Sequence, residues 1–245
     1  GPAAVLLSRS ASVADASSRA PAARRASPGR RAVAVLVWLA ALGPLPWLVW
    51  QAVSGGLGAN PIESLEHRTG HYALRLLIAS LAITPLRRLT QWGWLVPHRR
   101  TLGLAAFGWA VTHLVVYVGL DLVLDVGQFL EDLVKRTYIT LGMLAVVLLA
   151  PLAVTSTKGW IRRLGGARWN RLHRLVYLAV AAALIHVLWG VKKDVTLPVV
   201  YITITALLFA VRWWPRRGGD SVTVRAGGAS LGRSVAPDSG LGDPP

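Results

Sequence analysis

The sequence predicts an all-α integral membrane protein, a bundle of six transmembrane helices with both termini cytoplasmic. Three observations predict it. Hydrophobic residues make up 53% of the chain and charged residues only 16%, more apolar and less charged than ordinary soluble domains. The apolar residues come in long uninterrupted runs, not at amphipathic spacing. The basic residues, which bring the net charge to +16, collect between those runs on alternate sides.

The elements follow in order. A bilayer core takes roughly 20 apolar residues per helix, and six segments approach that: residues 33–53, 71–89, 101–120, 138–157, 175–191 and 195–211. The first is too long for a secretory signal and lacks a small-residue cleavage site, so it is expected to stay in the protein. Its Gly43-Pro44-Leu45-Pro46 implies a kink. The last two are shorter; Lys192, Lys193 and Arg212 can snorkel at their ends, and Trp189, Trp213 and Trp214 suit the interface. Residues 1–31 and 215–245 are expected to be disordered tails around a transmembrane domain over 32–214. Gly1-Pro2 reads as the scar of a protease cut.

One set of loops carries Arg24, Arg25, Arg30 and Arg31, then Arg87, Arg88, Arg99 and Arg100, then Lys158 to Arg174, then Arg212, Arg216 and Arg217. The other set is mixed in sign. The positive-inside rule makes the arginine-rich side cytoplasmic. A nucleic-acid partner is not expected, because the arginines cap hydrophobic spans instead of forming one patch. The acidic residues of the opposite loop, Asp121, Asp125, Glu131 and Asp132, are candidates for docking a partner.

There is no cysteine, which removes disulfides, iron–sulfur clusters, thiolate ligation and covalent haem attachment. Phosphate-cradling glycine motifs are also missing. What the spans do contain is histidine: His113, and His173 and His186 within WNRLHRLVYLAVAAALIHVLW. An intramembrane imidazole is costly unless it is used, and axial ligation of b-type haem fits best. His113 and His186 each lie about 18–20 Å along their helices from the arginine-rich side, at one depth. His173 lies about 20 Å lower, the separation of two stacked haems. On a straight helix the two histidines of the fifth span are roughly 140° apart, so a single flat wall cannot present both. His98 matches the depth of His173 and is a candidate ligand or a solvated loop residue. His67 and His71 sit at the outer boundary. Arg75, one turn deeper, either reaches the outer surface or pairs with a haem propionate.

The ordered motifs NPIE (60–63), TG (69–70), ITPLRR (83–88), RRTLGLAAFGWAVTHL (99–114), KRTYITLG (135–142), AVTST (153–157) and NRLHRLVYLAVAAALIHVLW (170–189) resemble the MsrQ/YedZ family. More widely, they resemble the ferric-reductase-like transmembrane domain. The resemblance covers about residues 33–214. It implies haem positions at His113, His173 and His186, with one or two haems b and FMN as a further cofactor. It implies electron flow from the quinol pool or a cytosolic flavin reductase, across the bacterial inner membrane, to MsrP, a periplasmic molybdopterin enzyme that reduces methionine sulfoxide in proteins. On this resemblance the chain is an electron-transfer subunit with the substrate-reducing site on its partner. Arg99 and Arg100 match its RR-x-LGL motif and suit a flavin phosphate or a quinone headgroup. A self-contained quinol:acceptor or ferric reductase keeps the haem and changes the partner. A non-redox six-helix transporter would need carboxylates inside the spans, which have none.

Overall fold

A computed structural model describes residues 28–191 and 194–214, and these are helical with no strand among them. The expected tails 1–27 and 215–245, and the snorkelling pair Lys192 and Lys193, lie outside the described residues. Helix α1 (Pro28–Leu42) begins four residues inside the stretch expected to be a tail, with Pro28 suited to a first helical turn. Helix α2 (Pro44–Ser54) continues the same apolar span after a break at Gly43, where Pro44 and Pro46 each remove a helical N–H. The buried Trp109 indole donates to the Ala41 carbonyl at 2.7 Å, two residues before that break.

Helix α3 (Pro61–Thr90) is the longest. The NPIE motif starts it physically: Asn60 accepts from the Glu63 N–H at 3.4 Å and donates to the Glu63 carboxylate at 2.9 Å, a reciprocal cap ahead of proline at the first helical position. After a 3₁₀ turn, α4 (Val96–Val116) ends in a π-helical turn over Tyr117–Asp121. Then come α5 (Val126–Lys135), α6 (Thr137–Val154), α7 (Lys158–Leu164), α8 (Gly166–Leu172), α9 (Leu175–Gly190) and α10 (Thr196–Trp213).

Two close pairs, α3 with α4 and α6 with α9, make the centre of the bundle, and α1 and α10 flank it. Its core is built from Leu74, Leu77 and Leu81 of α3, Ala106 and Trp109 of α4, Leu149 of α6, and Ala179 and Val180 of α9. The small Ala179, fully buried, lets helix backbones approach closely. Large apolar residues such as Leu36 and Leu39 of α1 or Val199 and Leu207 of α10 are exposed, as lipid-facing positions should be.

Among the described residues, five helical segments are long and apolar enough to cross a membrane: Arg31–Ser54, Gly93–Asp121, Thr137–Val154, Gly166–Gly190 and Thr196–Trp213. The sixth expected span lies within α3, which is 30 residues long but carries His71, Arg75, Arg87 and Arg88.

Two expectations change. The loop expected over 121–136 contains α5, capped by Asp125, whose side chain accepts from the Gln128 N–H at 2.9 Å. Val126, Leu130 and Val134 form an exposed apolar line along it, spaced one turn apart. Asp132, expected among the docking acids, is buried instead. It accepts from the Tyr117 hydroxyl at 2.6 Å and pairs with Arg136 at 3.0 Å, so it ties α5 to the end of α4. Replacing Asp132 with Ala strands both partners and should cost about 1.5–3 kcal/mol. Hydrogen exchange over residues 117–136 should accelerate accordingly, and unchanged protection would show that the ion pair holds nothing.

Candidate functional site

His113 projects from α4 and His186 from α9, and their rings face each other with centroids 6.2 Å apart and planes at 69°. The equal depth computed from the sequence thus corresponds to a contact. Each ring is tied at Nδ1 to a backbone carbonyl of a third and fourth helix: His113 to Glu66 O of α3 at 3.0 Å, His186 to Tyr138 O of α6 at 2.6 Å. A carbonyl only accepts, so both Nδ1 atoms carry the proton and both Nε2 atoms keep a free lone pair. In this arrangement the carbonyl acceptor fixes the tautomer and orientation of an imidazole able to bind a metal.

Space for the rings comes from two glycines placed identically. Gly70 is four residues after Glu66, and Gly142 four residues after Tyr138. A Cβ on Gly70 would stand 3.3 Å from the His113 ring, and one on Gly142 only 2.8 Å from His186 Nδ1. On each helix a glycine one turn below the carbonyl opens the path to it. Four helices therefore contribute in pairs, one giving the imidazole and the other a carbonyl and a bare Cα.

The pair fits haem iron. With Nδ1 engaged on both rings, His113 and His186 would hold the iron of a haem through their Nε2 atoms. Among the described residues no cluster of three or more His, Asp or Glu would hold a bare ion; a haem, which brings its own nitrogens, would ask of the protein only the two imidazoles. Near the start of α3, burial, with help from Asp121 and Glu63, pushes the Glu66 carboxyl up to about 7.

His173 stands elsewhere. It sits at the break between α8 and α9, stacked on Trp169 at 3.8 Å. Its Nε2 lies 3.2 Å from Thr155 Oγ1, which itself donates to Pro151 O at 2.6 Å. With that hydroxyl proton used, His173 Nε2 is the donor, the opposite tautomer to the upper pair. The Trp169 indole fixes the same turn by donating to Thr155 O at 2.9 Å. Because the helix is interrupted at His173, the 140° offset of a straight helix does not apply. No second histidine ring, His98 included, meets His173 among the described residues. His98 is half-buried in the first turn of α4.

Arg99 is half-buried and Arg100 exposed. Arg99 is within electrostatic reach of His173, Tyr177 and Arg212, and the Arg212 guanidinium lies 5.2 Å over the Tyr177 ring. Arg75 is not with the facing histidines: its Nε donates to the Tyr201 hydroxyl of α10 at 2.9 Å. Sequence reasoning missed the carbonyls of Glu66 and Tyr138, the two glycines, and the Thr155–Trp169 support of His173. A glycine inside an apolar helical run was the available signal for Gly70 and Gly142.

A family model described as the ferric reductase like transmembrane component matches residues 69–184. The "Protein-methionine-sulfoxide reductase heme-binding subunit MsrQ" of Caulobacter vibrioides is 50% identical over 182 residues, covering 74% of this chain and 87% of that one. The protein of the same name from Rhodospirillum rubrum is 49% identical over 191 residues, 76% of this chain and 91% of its own. That from Xanthomonas campestris pv. campestris strain 8004 is 50% identical over 192 residues, 78% and 88% respectively.

Proposed function

Since the chain belongs to the MsrQ family of protein-methionine-sulfoxide reductase haem-binding subunits, we propose that it carries electrons across the bacterial inner membrane to a periplasmic molybdopterin methionine sulfoxide reductase, MsrP, drawing them from quinol or a cytosolic flavin reductase. The observation that carries this reading is the His113–His186 pair, with both Nδ1 protons committed to backbone carbonyls. Haem b bound there supplies a one-electron iron centre. The chain's own residues do the rest: the two imidazoles present basic Nε2 atoms, the Glu66 and Tyr138 carbonyls hold their orientation and basicity, and the leucine-rich core excludes water. His173, with its Nε2 proton given to Thr155 and no second imidazole beside it among the described residues, would serve a second haem position nearer the arginine-rich end only through Nδ1. α3 is the sixth span in this reading, and the arginine-rich loops support cytoplasmic termini by the positive-inside rule.

Electrons enter at that same end. Arg99, Arg212 and His173 gather there without a carboxylate partner in the ion pairs of the described residues, which suits an FMN phosphate or a quinone oxygen.

The detergent-purified protein should show a reduced-minus-oxidised b-type spectrum; its absence would overturn the function. In an Arg99→Gln/Arg100→Gln variant that spectrum should persist, with full reduction by dithionite, while reduction by quinol and by flavin plus reductase slows by about tenfold or more. Normal rates from both donors would leave the arginines as topology anchors only.

A further inference from the structure

On the side of α3 turned away from the histidine pair lies a cavity of about 140 Å³ lined by Trp47, Arg68, His71, Tyr72 and Arg75. Gly70 marks the face of α3 that meets His113. Arg68, Tyr72 and Arg75 are roughly 140–200° around the helix from it, towards α2 and α10. The polar lining is made almost wholly of donors. Arg68 gives one Nη to the Gln51 side chain and lies 5.2 Å over Trp47. Arg75 gives Nε to Tyr201 and lies 5.7 Å over Tyr72. A guanidinium has five N–H groups, so each arginine keeps several. His71 Nδ1 is buried with no hydrogen-bond partner.

No acid lines the cavity, and neither arginine has a carboxylate partner among the described residues. Two cations and an unpartnered imidazole nitrogen around an aromatic-walled space call for an anionic oxygen ligand. The volume is room for about five water-sized groups, enough for a phosphate.

Position indicates the source. Arg75 is 13 residues from Arg88, about 20 Å along α3 from the arginine-rich end, and Arg68 is about 10 Å further. In a core about 30 Å thick that is the upper acyl and headgroup level of the opposite leaflet. The α2 wall is itself apolar and exposed, with Val49, Trp50 and Val53 beside Trp47, so the cavity adjoins lipid-facing surface. We propose that this cavity binds the phosphate of an anionic lipid in the leaflet opposite the arginine-rich loops, and that Arg68, His71 and Arg75 are its ligands.

The full chain, purified in detergent, would be titrated with phosphatidylglycerol, with phosphatidylcholine of the same acyl chains, and with inorganic phosphate, and bound species counted by native mass spectrometry. Phosphatidylglycerol should be retained through washing and the other two lost. In Arg68→Gln/Arg75→Gln its retention should weaken about tenfold or more, with haem absorption unchanged. Equal retention of the two lipids, capture of inorganic phosphate alone, undiminished phosphatidylglycerol binding in the variant, or haem loss in the variant would each overturn the proposal. Should the double variant fail to insert, Arg68→Gln and His71→Phe are read singly by the same measure, and wild-type retention in both overturns it.

Discussion

Replacing either His113 or His186 with alanine is expected to abolish the b-type signal of the site between them. Each imidazole is already oriented, with Nδ1 bound to a carbonyl at 3.0 or 2.6 Å and the rings facing at 6.2 Å. Removing one would leave a bound haem with a single protein ligand in an apolar site, a larger change than the roughly 10–100-fold loss that follows when only a hydrogen-bond partner of a ligand is removed. His173→Ala serves as the internal comparison. It should lower total haem per chain, measured by pyridine haemochrome, while the His113–His186 signal persists. If both upper variants keep full haem, the assignment is wrong. A haem count that never exceeds one and is unchanged in His173→Ala dismisses the lower position.

Gly142→Ala is expected to be nearly as damaging, though it alters no ligand. The added Cβ would stand 2.8 Å from His186 Nδ1 and 2.9 Å from Cε1, closer than carbon and nitrogen can pack. The ring cannot yield without giving up the Tyr138 carbonyl. Loss of that orientation corresponds to about 10–100-fold weaker binding. Gly70→Ala, with its nearest contact at 3.3 Å, asks for a shift of only a few tenths of an ångström and should be clearly milder. Haem titration of the two variants checks the ranking; equal affinity in both would mean the glycines do not shape the pocket.

The fold was legible wherever long apolar runs decide it, and so was the kink at Gly43, because proline removes a helical donor regardless of context. The pairing of His113 with His186 was legible as well, since helical rise alone puts them at one depth. The break at His173 was not. Nothing in LHRL forbids a helix, and the interruption coincides with contacts to Thr155 and Trp169 that are tertiary. The amphipathic α5 hid among charges that suggested a loop, and Asp132 looked like a surface acid because its partner Tyr117 lies 15 residues back. Arg75 was ambiguous for a related reason: Tyr201, which holds it, is 126 residues away.

The two carbonyls that steady the imidazoles belong to the peptide chain itself. No side-chain substitution at position 66 or 138 deletes them, so the orientation of both imidazoles is shielded from drift at those sites. A change of side chain at Glu66 or Tyr138 would therefore leave the two carbonyl hydrogen bonds in place. Heritable control of the ring positions falls instead on the two small residues beneath them, Gly70 and Gly142.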